Sequence, residues 1–188
     1  KLAMQRAQSE EVELFHRLNF LKSLQEITNK IHATDNVQQI MLDLSDAIRD
    51  QFKAEHMTLY AVTESKLEIQ TTVKTGLKSF KDFSLPIAGS SIAGYVALTK
   101  KIINIRNVYD TDELAQYTPK LEFRSKVDSR TGYRTKQMLT GPIVNAANGE
   151  ILGVLQLINT REGDHFSAIM EDGMRLMCET LAVAFEKR

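Results

Sequence analysis

Apolar positions recur at three- and four-residue steps in the first part of the chain. Leu14, Leu18, Leu21, Leu24, Ile27 and Ile31 carry the pattern, which continues faintly upstream through Leu2, Ala3 and Ala7. Charged and amide residues fill the gaps, and no Gly or Pro interrupts them. This spacing predicts one long helix over residues 1–33 with a single apolar seam. The seam needs a cover, either the body of the same domain or a helix from a second subunit. Thr34, Asp35 and Asn36 break the pattern, and Asp35 followed by Gln38 resembles a capping box. A second helix is expected from about Asn36. Its apolar face would be Val37, Ile40, Met41, Leu44, Ala47, Ile48 and Phe52.

The period then shortens. Met57–Thr63 and Leu67–Val73 are rich in β-branched and apolar residues and are joined by Glu64-Ser65-Lys66, so they read as paired strands. Phe83–Ile87 reads as a third strand, with Pro86 placing it at an edge or an end. Gly89-Ser90-Ser91 opens a short helix over Ile92–Thr99, and Ile102–Ile105 is a further short strand. Residues 106–135 form a polar excursion with helical turns expected at Thr111–Gln116 and Lys120–Val127. Excursions of this length in compact domains are usually functional. The strongest strand pair is Gln137–Val144 with Ile151–Ile158, and Asn148-Gly149 between them signals a hairpin. A last helix is expected over Ser167–Lys187, with Met170, Met174, Met177, Leu181 and Phe185 on one face. Leu176, Ala182 and Val183 supply part of a second face, and Gly173 marks a close helix approach. Hairpin links and short strands point to an antiparallel sheet with helices packed on it, an α+β fold. No βαβ rhythm and no Gly-x-Gly-x-x-Gly support a dinucleotide fold.

Composition narrows the function classes. The 188 residues carry 24 Lys+Arg against 24 Asp+Glu, with 43% hydrophobic residues. A balanced charge argues against a nucleic-acid partner and against an anionic membrane surface. No apolar run approaches the roughly 20 residues that span a bilayer, and no signal peptide is evident. The single Cys178 excludes an intramolecular disulfide and dithiol chemistry, and it fits a reducing, cytoplasmic setting. His16, His32, His56 and His165 share no metal-ligand spacing, so no metal is expected. No paired carboxylates, Ser-His-Asp set or Cys-His set is apparent, so the chain is not expected to be an enzyme. Since the chain opens on Lys1, we expect it to be part of a longer protein.

Two stretches carry candidate chemistry. Gly89-Ser90-Ser91-Ile92-Ala93-Gly94 supplies a helix cap and first-turn N–H groups at the positive end of the helix dipole. It is read either as an ordinary cap or as a seat for a phosphate. Val127–Thr135 concentrates hydroxyls, Asp128 and Gly132 before the strongest strand, as a turn or as a cover over a small polar ligand.

Taken as an ordered set, these residues resemble a GAF domain. The set is Ile92-Ala93-Gly94-Tyr95-Val96-Ala97, Asn104-Ile105 with Tyr109, Asp128 through Thr135, Met138-Leu139 with Pro142-Ile143, and Gly153-Val154 with Asn159 and Phe166. The resemblance covers roughly residues 20–186 and is strongest to the cyclic-nucleotide-binding GAF domains of phosphodiesterases and cyanobacterial adenylyl cyclases. It implies a GAF-like (PAS/profilin-like) central antiparallel sheet, with terminal helices on one face and a helix/loop lid on the other. The implied organisation is a connector helix over 1–20 and a domain over 21–188. The implied function is a sensor module of a multidomain signalling protein that binds cAMP or cGMP and relays its state through the terminal helices to an output domain. By the same resemblance Ile92 and Ala93 offer backbone contacts near the phosphate, which agrees with the helix start at Ser91. Asp128, Thr131 and Thr135 line the lid side, Thr58 stands where a Ser is frequent, and Gln156 stands where a Glu can face the ligand.

The chain also departs from the pattern. A Phe-Asp pair that contacts the base is replaced near Thr72 and Val73. In the Asn-Lys-Phe-Asp-Glu signature, Asn159, Phe166 and Glu171 are present, while Thr160 and Met170 replace the Lys and Asp. Those two pair with each other, so their joint loss leaves no buried charge unmatched. The competing reading is a ligand-independent homodimerisation module built on the terminal helices. Bilin attachment on this fold needs a cysteine near the pocket, whereas Cys178 lies in the last helix among Met174, Met177 and Leu181 and reads as a buried inert thiol. Sulfoxide reduction on this fold needs several cysteines.

Overall fold

The computed structural model describes residues 1–34, 36–74, 80–123 and 132–186. Helix α1 (Leu2–His32) leads into α2 (Val37–Gln39), a π-helical segment (Ile40–Leu44) and α3 (Ser45–Gln51). Strands β1 (Ala54–Val62), β2 (Glu68–Lys74) and β3 (Phe80–Pro86) follow, then α4 (Ile92–Thr99), β4 (Ile103–Ile105) and α5 (Thr111–Ala115). The chain ends with β5 (Met138–Val144), β6 (Ile151–Thr160) and α6 (Ala168–Glu186). The six strands form one antiparallel sheet in the order β3-β2-β1-β6-β5-β4. The α+β class and the antiparallel platform follow the reading of the sequence.

Strand alternation sends odd and even positions of the central strands to opposite faces. Leu59, Ala61, Leu139, Leu155 and Leu157 join α1, α3 and α6 in one apolar core. Tyr60, Met138 and Val154 join α4, Ile103, Ile105, Val108, Leu114 and Leu121 in a second core on the other face. The sheet therefore separates a helix layer from a side covered by α4 and the excursion.

Local chemistry explains most boundaries. Asn36 caps the second helical stretch: its side chain accepts from the Gln38 N–H at 2.9 Å. Asp35 lies outside the described residues. The π-helical segment was not legible, because three- and four-residue apolar spacing is equally compatible with an uninterrupted α-helix. The hairpin signalled by Asn148-Gly149 joins β5 to β6, through a longer loop than two residues. Within residues 145–150 only Gly149 has positive φ (73°), and Asn145 accepts from the N–H groups of Ala147 and Asn148. Thr111–Ala115 appears as expected, capped by Asp110. Of the turn expected at Lys120–Val127, residues 120–123 are not helical and the rest lies outside the described residues.

The seam of α1 divides in two. Leu24, Ile27 and Ile31 are buried, and Phe20 packs edge-on to Phe52. Leu14 and Leu18 are more than half exposed, and so are Met4, Val12 and Phe15. On α6, Leu176 (43%) and Val183 (45%) are likewise exposed.

Candidate functional site

Helix α4 begins where the sequence places its cap. Ser91 is extended (φ −120°, ψ 158°) and its Oγ accepts from the Gly94 N–H at 3.1 Å. The first-turn N–H groups of Ile92 and Ala93 have no intrahelical acceptor, and they sit at the positive end of the helix dipole. Gly94 is a necessity of packing: a Cβ there would stand 2.4 Å from the Pro86 carbonyl oxygen. That approach seats the start of α4 on the end of β3. Ser91, Ile92 and Ala93 are all buried. The N–H of Glu122, from the excursion, donates to the Ser90 carbonyl at 3.4 Å beside the helix start.

The sheet presents polar groups to this same side. Gln156 pairs in register with Thr58 on one flank and Thr140 on the other, so the three make a row across β1, β6 and β5. Gln156 Nε2 donates to Thr140 Oγ1 at 3.4 Å and lies 3.5 Å from Met138 Sδ. Thr140 is fully buried, Gln156 is buried and Thr58 is half-buried. Buried hydroxyls and amides are costly unless they find partners, and a row of them on an otherwise apolar face is unusual for a pure core. Tyr60 lies on the same face, and burial pushes its phenol up to about 12. On β2, Thr71 is buried.

The expected site residues are only partly brought together. Ser91, Ile92 and Ala93 sit on α4 over the sheet face that carries Thr58 and Gln156. Thr135 is buried (4% exposed) on the chain returning to β5. Position 72 is paired with Asp82, and alternation puts it on the face opposite Thr71. Asp128 and Thr131 lie outside the described residues. Thr140 and Thr71 were missed, although alternation along the two strands marks both. The expectation of an inert Cys178 agrees with its place: it is buried against Met174 in the helix-side core, away from α4, and burial pushes its thiol far up.

The root of the excursion is tied down by polar contacts. Glu113 accepts from the N–H groups of Arg106 and Asn107 at 2.8 and 2.9 Å. Tyr109 packs edge-on to Phe123, and the Arg134 guanidinium lies 4.5 Å from the Tyr109 ring centre. Tyr117 donates to the Asn104 carbonyl, and its phenol is raised mainly by burial, with the Glu113 charge adding. A separate hollow of about 350 Å³ opens beside Lys101, Pro142 and Arg175 at the edge of the sheet. It draws none of its lining from α4's first turn or from the Thr58–Gln156–Thr140 row.

The sequence pattern of the GAF domain family matches residues 36–185. The chain belongs to the GAF domain family. A cGMP-specific 3',5'-cyclic phosphodiesterase of Drosophila erecta is 38% identical over 106 residues, 53% of this chain and 8% of that protein. A dual 3',5'-cyclic-AMP and -GMP phosphodiesterase 11 of Drosophila melanogaster is 39% identical over 83 residues, 44% of this chain and 5% of that protein. The chain thus spans less than a tenth of these relatives' length. Among solved structures, the GAF domain of a phosphoenolpyruvate-protein phosphotransferase from Coxiella burnetii superimposes with TM-score 0.68 at 22% identity. The match covers 90% of this chain and 94% of that one. At that identity the likeness speaks for the fold alone.

The GAF signature residues have distinct places. The Asn104 side-chain amide donates to the Phe166 carbonyl at 2.7 Å and to Glu171 Oε1 at 2.9 Å, which ties β4 to the start of α6. Thr160 bonds the Glu162 carbonyl and Met170 packs on the helix-side core, so neither position leaves a charge buried. Among the described residues no three His, Cys, Asp or Glu side chains converge as metal ligands. No described helix is long and apolar enough to cross a membrane.

Proposed function

We propose that this GAF domain is a regulatory sensor module of a multidomain signalling protein and that it binds a cyclic nucleotide, cAMP or cGMP. The observation that carries the reading is the row Thr58–Gln156–Thr140 on the sheet face beneath the Ser91-capped start of α4. Gln156 and Thr140 already bond each other, and a purine with a ribose phosphate offers this polar row further partners that an apolar ligand lacks. In this reading the phosphate lies at the N–H groups of Ile92 and Ala93 beside Ser91. Thr58 and Gln156 face the base and sugar, and Asp128, Thr131 and Thr135 are assigned to the lid side; Thr72, on the opposite face of β2 by alternation, drops out of the site. The relatives named as cyclic-nucleotide phosphodiesterases support this class of ligand. The module does no chemistry of its own, takes no metal and works in the cytoplasm. It passes its state through α1 and α6 to an output domain, with a coupling no larger than the ligand's differential affinity for the two states. Calorimetric titration with cAMP and cGMP tests the reading. Saturable heat and a raised Tm are expected; no heat and no shift at millimolar nucleotide overturn it.

A second reading is favoured by a specific observation. The exposed apolar residues of α1, Leu14, Phe15 and Leu18 among them, need a cover. We propose that a second copy supplies it and that the terminal helices form a homodimer, with or without ligand. Sedimentation of the chain beside a version lacking residues 1–20 decides this. A dimer that weakens on truncation supports it, and a monomer at micromolar concentration overturns it.

A further inference from the structure

Asn159 closes β6 in a left-handed conformation (φ 54°) and is buried. It stands opposite Glu55, between the paired positions Ala54–Thr160 and His56–Ile158. Its side chain is fully engaged with the chain returning to β5. Oδ1 accepts from the N–H groups of Lys136 at 2.6 Å and Gln137 at 3.1 Å. Nδ2 donates to the Tyr133 hydroxyl at 2.7 Å and the Arg134 carbonyl at 2.9 Å, and it lies 3.4 Å from Glu55 Oε2. The Tyr133 hydroxyl donates in turn to that same Glu55 carboxylate oxygen. The His56 ring meets Tyr133 edge-on at 4.7 Å between centroids. Immediately before Tyr133, Gly132 has positive φ (72°) and nothing within 4 Å of where a Cβ would stand.

We infer that Glu55 and Tyr133, joined through Asn159, form a latch that fixes residues 133–137 on the ends of β1 and β6 and thereby sets the place of Thr135. Glu55 and Tyr133 are positioning residues: they act on the proposed ligand through Thr135, so the functional half of the inference rests on the sensor reading. An ionised acceptor makes the Tyr133 bond a charge-assisted one. Because the two partners sit on segments 78 residues apart, losing either one loosens the start of the returning chain, which Asn159 still holds, without disturbing the β1–β6 ladder.

Amide hydrogen exchange of residues 133–137, followed in the wild type and in Y133F, E55A, E55Q and Y133F/E55A, tests the latch. Each loss of a single bond is expected to speed exchange there about tenfold, as one net hydrogen bond implies, with α6 and the β5–β6 ladder unchanged. The double variant should be less than additive, since Y133F and E55A both remove the Tyr133–Glu55 bond and each removes one Asn159 contact of its own. E55Q keeps an acceptor but loses the charge that strengthens the bond, so its exchange should fall between wild type and E55A. In parallel, Y133F should bind cGMP or cAMP about tenfold more weakly. Wild-type exchange in both single variants, additive effects in the double, or faster exchange with unchanged nucleotide affinity overturns the inference. Should the wild type take up neither nucleotide, the sensor reading fails, and the exchange pattern by itself upholds or overturns the latch.

Discussion

Phe20 of α1 lies directly over Gly173 of α6: a Cβ built on that glycine would stand 2.6 Å from the ring's Cζ and 3.0 Å from Cε1 of Phe52. The two rings meet edge-on at 5.9 Å. Glycine inside a helix costs about 1 kcal/mol against alanine, and here that cost permits the approach of the two terminal helices. G173A should therefore destabilise the domain by about 1–2 kcal/mol, the overpacking penalty exceeding the gain in helix propensity. In an F20A background the closer overlap is gone and only the 3.0 Å approach to Phe52 Cε1 remains, which a small shift of that ring relieves, so the same change should become neutral to stabilising by up to about 1 kcal/mol. Urea unfolding of the four proteins, read as a double-mutant cycle, checks the coupling.

Tyr60 predicts an alkaline limit to stability. Its phenol is buried on the α4 side of β1, and burial lifts it from an ordinary value of 10.0 to about 12. Below pH 10 the folded and unfolded chains both hold the proton, so stability is independent of this group. Between pH 10 and 12 the unfolded chain releases the proton while the folded chain keeps it, so stability falls as pH rises. A shift of this size corresponds to about 2–3 kcal/mol by pH 12. Y60F should remove that slope and leave the neutral-pH behaviour little changed. Urea midpoints of both proteins from pH 8 to 11.5 measure it, and parallel pH dependence in the two would refute the assignment.

Much of this could be read beforehand wherever one period dominates. Ile92–Thr99 was read to the residue, because Ser91 caps it and Lys100, which ends it in the left-handed region, follows an unbroken apolar run. The central strands came from alternation, and Gly173 from the cost of a glycine in a helix. Of the candidate site, the helix cap alone pointed to Ser91, whereas Thr58 and Gln156 came from the resemblance to GAF domains. The latch was not legible. Glu55, Tyr133 and Asn159 are far apart in sequence, and a hydrogen bond over 78 residues leaves no periodic trace. Register was equally hidden: a one-residue step separates position 72 from Thr71, and that step decides which face each occupies.

Gly153 should be the least replaceable glycine of the sheet. A Cβ there would stand 2.2 Å from the Tyr60 carbonyl oxygen and 2.7 Å from Cε2 of Phe185. The first neighbour is backbone within the β1–β6 ladder and cannot rotate away, unlike the ring over Gly173. G153A should therefore cost more than G173A, about 3 kcal/mol or more, and no second-site truncation at Phe185 should recover it fully. Thermal unfolding of G153A and G153A/F185A, compared with F185A alone, provides the check.

Cys178 offers a probe of opening in the helix-side core. It forms part of the wall of the hollow at the sheet edge, so access by itself would allow a reagent to reach it. The thiolate is the reactive species, however, and burial, with the Glu179 charge adding, holds the thiol protonated far above its ordinary range. The second effect should dominate, because a reagent at the wall still meets a neutral thiol. Labelling of the native protein at pH 8 should be at least about 100-fold slower than in denaturant, because the folded chain keeps the thiol protonated. Its rate should follow global unfolding as urea is added. Fast labelling of the native chain, independent of urea, would show instead that the wall opens locally around Met174 and Cys178 without the rest of α6.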